Sequence, residues 1–181
     1  RERRILDGEA TSAARWNLGW TIAFGVFTVG QVGLALAEIS PGREFDHAVA
    51  AALYTGAGKA AIGVASRLVL PMRIPRVRAS GDACVDAAAI DAARAVAGRK
   101  ERDAFWLQLG GGAALHVVTG TYLVVVEDSW RDALMSLALG AVVSGVTLYT
   151  LPKQSWRHRR PVLVAPTATA DSIGLAVVGG F

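Results

Sequence analysis

The stretch that decides the fold is residues 16–37, WNLGWTIAFGVFTVGQVGLALA, which contains no charged side chain. A helix needs an apolar run of about 20 residues to cross a hydrocarbon core that is roughly 30 Å thick. A second uncharged run covers residues 104–126. Over the whole chain the mean hydropathy is +0.37 and 19% of the residues are charged, whereas soluble domains carry about 25%. These values predict an integral membrane protein and exclude a small soluble enzyme, a disordered chain and a disulfide scaffold.

The apolar segments predict four transmembrane helices, at residues 16–37, 48–70, 105–126 and 133–151. The turn residues Ser40, Pro41 and Gly42 join the first two segments, and only residues 127–132 separate the last two. Helices joined by such short connections pack as antiparallel neighbours. The predicted fold is therefore an all-α, four-transmembrane-helix bundle made of two helical hairpins, over residues 16–152.

Three further segments flank or connect the predicted spans. Residues 1–15 are predicted to form a basic amphipathic segment that leads into the first span. Residues 73–103 form a polar helical connector, because the alanine-rich second half favours helix; it either continues into the third span or lies along the membrane surface. Residues 153–181 are first basic and then apolar at alternate positions. This pattern predicts a short β-hairpin-like tail that packs on the bundle or on a partner.

The distribution of basic residues predicts the orientation of the bundle. Fifteen Lys and Arg residues lie before the first span, in the connector and after the last span, whereas the two short loops contain only Arg43 and Arg131. Positively charged loops stay in the cytoplasm, so both termini and the connector are predicted to be cytoplasmic, in a bacterial inner (plasma) membrane. The sequence begins without Met, and a signal peptide before Arg1 would place the N-terminus outside instead.

Two ionisable side chains lie at the middle of predicted spans. Lys59 is the midpoint of the second span and His116 is next to the midpoint of the third. No Asp or Glu lies at this depth, so the candidate partners are Gln31, Ser144, backbone carbonyls, water or an anionic or carbonyl ligand. Intramembrane ionisable groups indicate ligand or proton sites by default, while the alternative is a hydrated lysine and a histidine bonded between helices. Arg67 is close enough to its helix end to extend to water.

The sequence lacks the motifs that would indicate a reaction. Cys84 is the only cysteine, which excludes an internal disulfide and a cysteine metal cluster. The three histidines fall at different depths, which argues against a haem held between helices. No Walker loop, nucleophile elbow or dinucleotide fingerprint is found. The net charge of +4 is explained by lipid headgroups rather than nucleic acid. No cofactor or metal is predicted, and no enzymatic activity is supported.

Two functional interpretations remain open. The first is a non-catalytic accessory or structural subunit of a membrane complex, whose partners are lipids and either other membrane-protein subunits or further copies of this chain. Faces of small residues and the strand-forming tail favour it. The alternative is a small transport or ligand-binding bundle, in which Lys59 and His116 hold an anionic lipid or a quinone, or pass protons. A third option is a membrane enzyme that acts on lipid.

Overall fold

The computed structural model describes residues 2–38, 47–153, 155, 163–169 and 172–178. In this part of the chain four helices follow one another, α1 (Glu2–Glu38), α2 (His47–Val69), α3 (Ala83–Val125) and α4 (Trp130–Thr150). Helix α1 packs mainly against α2, and α3 packs mainly against α4, whereas contacts between these two pairs are sparse. The helices therefore form two antiparallel pairs with limited contact between them, here called the α1–α2 hairpin and the α3–α4 hairpin.

Two short strands follow the helices. Strand β1 (Leu163–Thr169) pairs antiparallel with β2 (Ser172–Val178), with Leu163 opposite Val178 and Thr169 opposite Ser172. The predicted turn at residues 40–42 and the basic residues 157–160 lie outside the described residues.

Three of the described helices, α1, α2 and α4, are long and apolar enough to cross a membrane. The prediction of apolar spans is confirmed to this extent. The predicted third span, residues 105–126, is not supported by length and hydropathy, although residues 105–125 are helical. Gln108, the three glycines 110–112 and His116 lower the hydropathy of that half of α3.

Helices α1 and α3 are longer than a membrane span requires. They contain 37 and 43 residues, which correspond to lengths of about 55 and 65 Å at roughly 1.5 Å per residue. Residues 2–15 continue without a break into the first apolar segment, and residues 83–103 continue into the third. Of the two arrangements predicted for the connector, the structure thus has the continuous helix. The first halves of α1 and α3 extend beyond the roughly 30 Å that hydrocarbon occupies.

Between α2 and α3 only residues 70–82 are not helical, and they are called the connector from here on. Helix α3 begins where a turn and a cap end this connector. Gly81 has a φ of 89°, a backbone conformation that glycine adopts without steric cost. The side chain of Asp82 then accepts hydrogen bonds from the backbone N–H groups of Cys84, at 2.8 Å, and Val85, at 3.1 Å. An aspartate cap of this kind satisfies amide groups that have no partner within the helix.

The best-packed part of the molecule lies where both hairpins meet the connector. Its buried apolar residues come from α1, the connector, α3 and the end of α4: Ala10, Ala13, Trp16, Met72, Ile74, Ala97 and Leu151. Asn17 Nδ2 donates to the Met72 carbonyl at 2.9 Å, and the indole of Trp16 donates to Thr150 Oγ1 at 3.2 Å. We call this end of the molecule the Trp16 end, and the opposite end, where α4 begins, the Trp130 end.

Two buried carboxylates also lie near the Trp16 end. Glu9 is 3% exposed and accepts a hydrogen bond from Ser155 Oγ at 2.5 Å. Glu101 is fully buried and accepts one from the backbone N–H of Ser155 at 3.4 Å. Ser155 therefore connects α1 and α3 beyond the end of α4.

Candidate ligand-binding cavity

A cavity of about 1040 Å³ separates the two hairpins. Along α2 its lining begins at Val49 and ends at Leu70, and it continues onto Met72 of the connector. Those 21 residue steps correspond to about 30 Å of helix, the thickness of a bilayer's hydrocarbon core. Asp132 lines the cavity at the Trp130 end, and Lys100 and Asp103 line it at the Trp16 end. The cavity therefore runs almost from one end of the apolar helices to the other.

Most of the cavity wall is apolar, and every helix contributes to it. The apolar side chains include Phe24, Phe27, Leu53, Ile62, Leu107, Leu115, Met135, Leu139, Val142 and Val143. A cavity with such walls and a few polar groups at defined positions is typical of a small-molecule site. The polar groups therefore decide which ligand it suits.

Lys59 projects into the cavity from the middle of α2. Its Nζ donates a hydrogen bond to Ser136 Oγ of α4 at 2.5 Å. Side chains on a helix tilt towards its N-terminus, so the Lys59 ammonium is drawn towards the Trp130 end. Among the described residues, no Asp or Glu forms a salt bridge with it. The lysine thus bridges the hairpins through a neutral partner and keeps donors for a further acceptor.

His116 lines the same cavity from α3. Its Nε2 lies 3.1 Å from Ser144 Oγ of α4. The imidazole ring lies directly against the backbone of Gly140, where a Cβ atom would collide with it. Its Nδ1 is buried and has no hydrogen-bond partner. The ring is therefore held against α4 by Ser144 and by the backbone of Gly140.

Arg67 is a member of the site to which the sequence assigned no role. We expected its side chain to extend to water, but the residue is only 9% exposed and lines the cavity near the Trp16 end. Its guanidinium lies 4.1 Å from the ring centre of Trp16, and its Nη2 donates to Gln108 Oε1 at 2.6 Å. The buried Nε has no hydrogen-bond partner. Stacking on Trp16 turns the side chain inward, because an indole face attracts a guanidinium.

All four side chains singled out in the sequence line this one cavity: Gln31, Lys59, His116 and Ser144. His116 and Ser144 are hydrogen-bonded, as the candidate pairing anticipated. Lys59 instead bonds to Ser136, and the Gln31 side chain lies against the backbone of Gly56. Arg67 is eight residues from Lys59, two turns along α2, and this spacing is the sequence signal that places both residues on one face of the helix.

The site contains both positively and negatively charged side chains, and they are not all paired with one another. Lys59, Arg67 and Lys100 line the cavity together with Asp103 and Asp132. Within the described ranges, the two aspartates form no salt bridge with Lys59 or Arg67. The same ranges contain no group of three His, Cys, Asp or Glu side chains that could hold a metal ion. Comparisons of this chain with protein-family models, with curated proteins and with solved structures find no match.

Proposed function

We propose that this chain is a four-span membrane protein that binds an anionic amphiphile between its two helical hairpins. The observation that carries the proposal is that Lys59 and Arg67 line one apolar cavity without a salt bridge to any described residue. A charge in a membrane span costs at least about 2.5–3.5 kcal/mol on insertion scales. A bound anion offsets that cost, and the apolar walls suit its hydrocarbon part.

The proposal includes α3 as the fourth span. Its apolar half packs against α4, and its polar residues Gln108 and His116 face the cavity rather than lipid. Polar groups in membrane helices are tolerated where they face the interior of a bundle. The low hydropathy of this half is therefore consistent with a span whose polar face lines a ligand site.

Native mass spectrometry of the purified protein tests the binding function. We expect phosphatidylglycerol to be retained and phosphatidylcholine to be lost at the same collision energy. Lys59→Met and Arg67→Met each remove one charge-assisted contact, worth about 1.5–3 kcal/mol, so each should weaken retention at least tenfold. The matched control is Arg99→Met, because Arg99 is exposed and lies outside the cavity. Equal retention in all three variants would contradict the proposal.

The accessory-subunit interpretation stays a second candidate. The observation that favours it is the pair of helix ends, residues 2–15 and 83–103, joined by an Arg3–Asp86 salt bridge of 3.3 Å and an Arg94–Glu2 salt bridge. Such a pair offers a docking surface outside the membrane for another subunit. Light scattering of the protein extracted from native membranes in mild detergent tests it. A stoichiometric partner is expected, and a particle containing only this 18.9 kDa chain argues against it.

The location and orientation also belong to the proposal. We infer a bacterial plasma membrane with the Trp16 end in the cytoplasm. The support is the excess of Lys and Arg in the segments that adjoin this end, which the positive-inside rule assigns to the cytoplasmic side.

A further inference from the structure

We propose that the cavity is a path by which a phosphate-headed lipid passes between the two leaflets, with Arg67 and Lys59 as successive positions for its headgroup. This inference rests on the proposed binding function and adds movement to it. The movement is passive, so lipid passes in both directions and no covalent step is involved.

The extent of the cavity is the first reason. A site that only holds a lipid needs to open towards one leaflet. Here the lining includes Val49 and Asp132 at the Trp130 end as well as Met72 and Lys100 at the Trp16 end. The distance between the ends is about 30 Å on the helix-rise scale, which equals the barrier that a headgroup must cross.

The positions of the two cations are the second reason. Arg67 lies near the Trp16 end, at the level of the interfacial Trp16 ring. Lys59 lies eight residues deeper, a separation of about 12 Å along α2, and its ammonium reaches towards the Trp130 end through Ser136. A phosphate that leaves Arg67 thus meets a second cation about halfway across the barrier.

The partners of these cations are the third reason. Arg67 bonds to the Gln108 amide and Lys59 bonds to the Ser136 hydroxyl. Both partners are neutral. A phosphate can therefore replace the neutral partner or bind the cation beside it, and no ion pair has to be broken. Arg67 is nine-tenths buried and lines the cavity, and its Nε has no hydrogen-bond partner. Passage requires binding that is favourable enough to enter and weak enough to leave, and neutral partners meet both conditions.

The sparse contact between the hairpins is the fourth reason. The α1–α2 hairpin contacts the α3–α4 hairpin only sparsely, and lining residues such as Ile62 and Val142 are at least half exposed. The acyl chains of a lipid can therefore stay in the surrounding bilayer while its headgroup moves between the hairpins. A closed cavity would instead require the chains to enter with the headgroup.

A dithionite assay in proteoliposomes tests the inference. Vesicles of phosphatidylcholine contain a trace of acyl-labelled fluorescent phosphatidylglycerol in both leaflets, and dithionite bleaches only the outer leaflet. With the wild-type protein, bleaching should proceed well past the half that protein-free vesicles lose. Lys59→Met and Arg67→Met should each slow the second phase at least tenfold, in line with the loss of one charge-assisted contact. Arg99→Met should match the wild type.

Three results would overturn the inference. The first is bleaching by the wild-type protein that stops at half, as in protein-free vesicles. The second is complete bleaching at the same rate in wild type, Lys59→Met and Arg67→Met, which would remove these residues from the path. The third is efflux of entrapped inorganic phosphate at the rate of lipid movement, which would identify the free anion as the cargo.

Two controls separate this inference from the binding function and from misfolding. Retention of phosphatidylglycerol in native mass spectrometry without bleaching past half would leave the binding proposal intact and refute translocation alone. Loss of both would refute both. Lys59→Arg and Arg67→Lys keep the charge at each position, so they should retain most of the rate. If these conservative variants are as slow as the methionine variants while eluting as folded protein, the charge-based path is wrong.

Discussion

At the scale of the residue, the burial of a cationic side chain is explained by the residues it contacts rather than by its position along the helix. Arg67 is near the end of α2 but is buried, because Trp16 and Gln108 hold its guanidinium. Lys59 is at the middle of α2 but remains half-buried, because its side chain enters the cavity and reaches Ser136. The position of each side chain is thus set by a specific partner on another helix.

Replacing Lys59 by methionine is expected to raise thermal stability in neutral lipid. Removing a charge that lacks a carboxylate partner saves desolvation free energy, about 2.5–3.5 kcal/mol on the scale of membrane insertion. In phosphatidylcholine nanodiscs we expect the Tm to rise by roughly 5–14 °C. In phosphatidylglycerol the gain should shrink or reverse, because the wild type then gains a ligand. Arg99→Met serves as the control, and an equal shift in both lipids would contradict this expectation.

The capping region of α3 contains a carboxyl group with a shifted pKa. Hydrogen bonds from the backbone N–H and the hydroxyl of Ser80, each 2.8 Å long, lower the pKa of Asp86 below its usual value of 3.8, with a further contribution from Arg3. A carboxyl group whose pKa is lower in the folded state stabilises that state above its unfolded pKa. The stabilisation is lost as the pH falls below about 4 and through the folded pKa.

Ser80→Ala should raise the titration midpoint of Asp86 part of the way towards its ordinary value. The variant loses the hydroxyl donor but keeps the backbone N–H donor. Carbon-detected NMR of labelled aspartate side chains measures the midpoint, and Ser66→Ala is a control because Ser66 bonds to its own helix at Gly63. Identical midpoints in wild type and Ser80→Ala would show that the hydroxyl does not act on Asp86.

At the scale of the element, two glycines of α2 let α1 approach closely. A Cβ atom at Gly63 would lie 2.8 Å from the ring of Phe24, and one at Gly56 would collide with the side chain of Gln31. Small residues at helix contacts are a general device for close packing in membranes. At Gly58, on the same helix, nothing lies within 4 Å.

Gly63→Ala should therefore destabilise the α1–α2 hairpin while Gly58→Ala should not. Pushing the Phe24 ring aside is an overpacking effect, which costs about 1–3 kcal/mol. Gly58→Ala adds helix propensity in open space and should be neutral or slightly stabilising. Thermal melting of both variants in the same detergent measures the difference, and equal melting temperatures would contradict the close packing of Gly63 against Phe24.

At the scale of the whole molecule, the apolar cluster that joins the two hairpins lies at the Trp16 end. Four chain segments meet in the apolar cluster around Trp16 and Met72, with hydrogen bonds from Asn17 to Met72 and from Trp16 to Thr150. Towards the Trp130 end the cavity lies between the hairpins, which are bridged there by the hydrogen bond from Lys59 to Ser136.

Labelling of Cys84 tests the orientation of the molecule. This exposed cysteine lies at the start of α3, in the part that projects past the Trp16 end. An impermeant maleimide should leave it unlabelled on intact cells and should label it on inverted membrane vesicles. The double variant Cys84→Ser with Asp128→Cys moves the only thiol to the Trp130 end and should give the reverse pattern. Labelling of Cys84 on intact cells would show that the Trp16 end is outside.

Several features of the fold followed from the sequence. Long uncharged runs predicted the apolar helices, since a span is a local property of about 20 consecutive residues. The predicted boundaries near Glu38, Val69 and Thr150 differ by a residue or so from the observed helix ends. The third span was less well determined, because its polar residues lower the hydropathy on which such a prediction depends. The functional roles of Lys59 and His116 stay predictions.

What the sequence determined by itself was where the apolar helices lie, because hydropathy and helix length are read along the chain. It also marked Lys59, His116, Gln31 and Ser144 through their residue type and depth. Only the tertiary structure decided that these four side chains line one cavity and that Arg67 joins them. Which faces of two helices meet depends on contacts between residues far apart in sequence, such as Trp16 with Arg67 and Lys59 with Ser136. No local pattern encodes those distances.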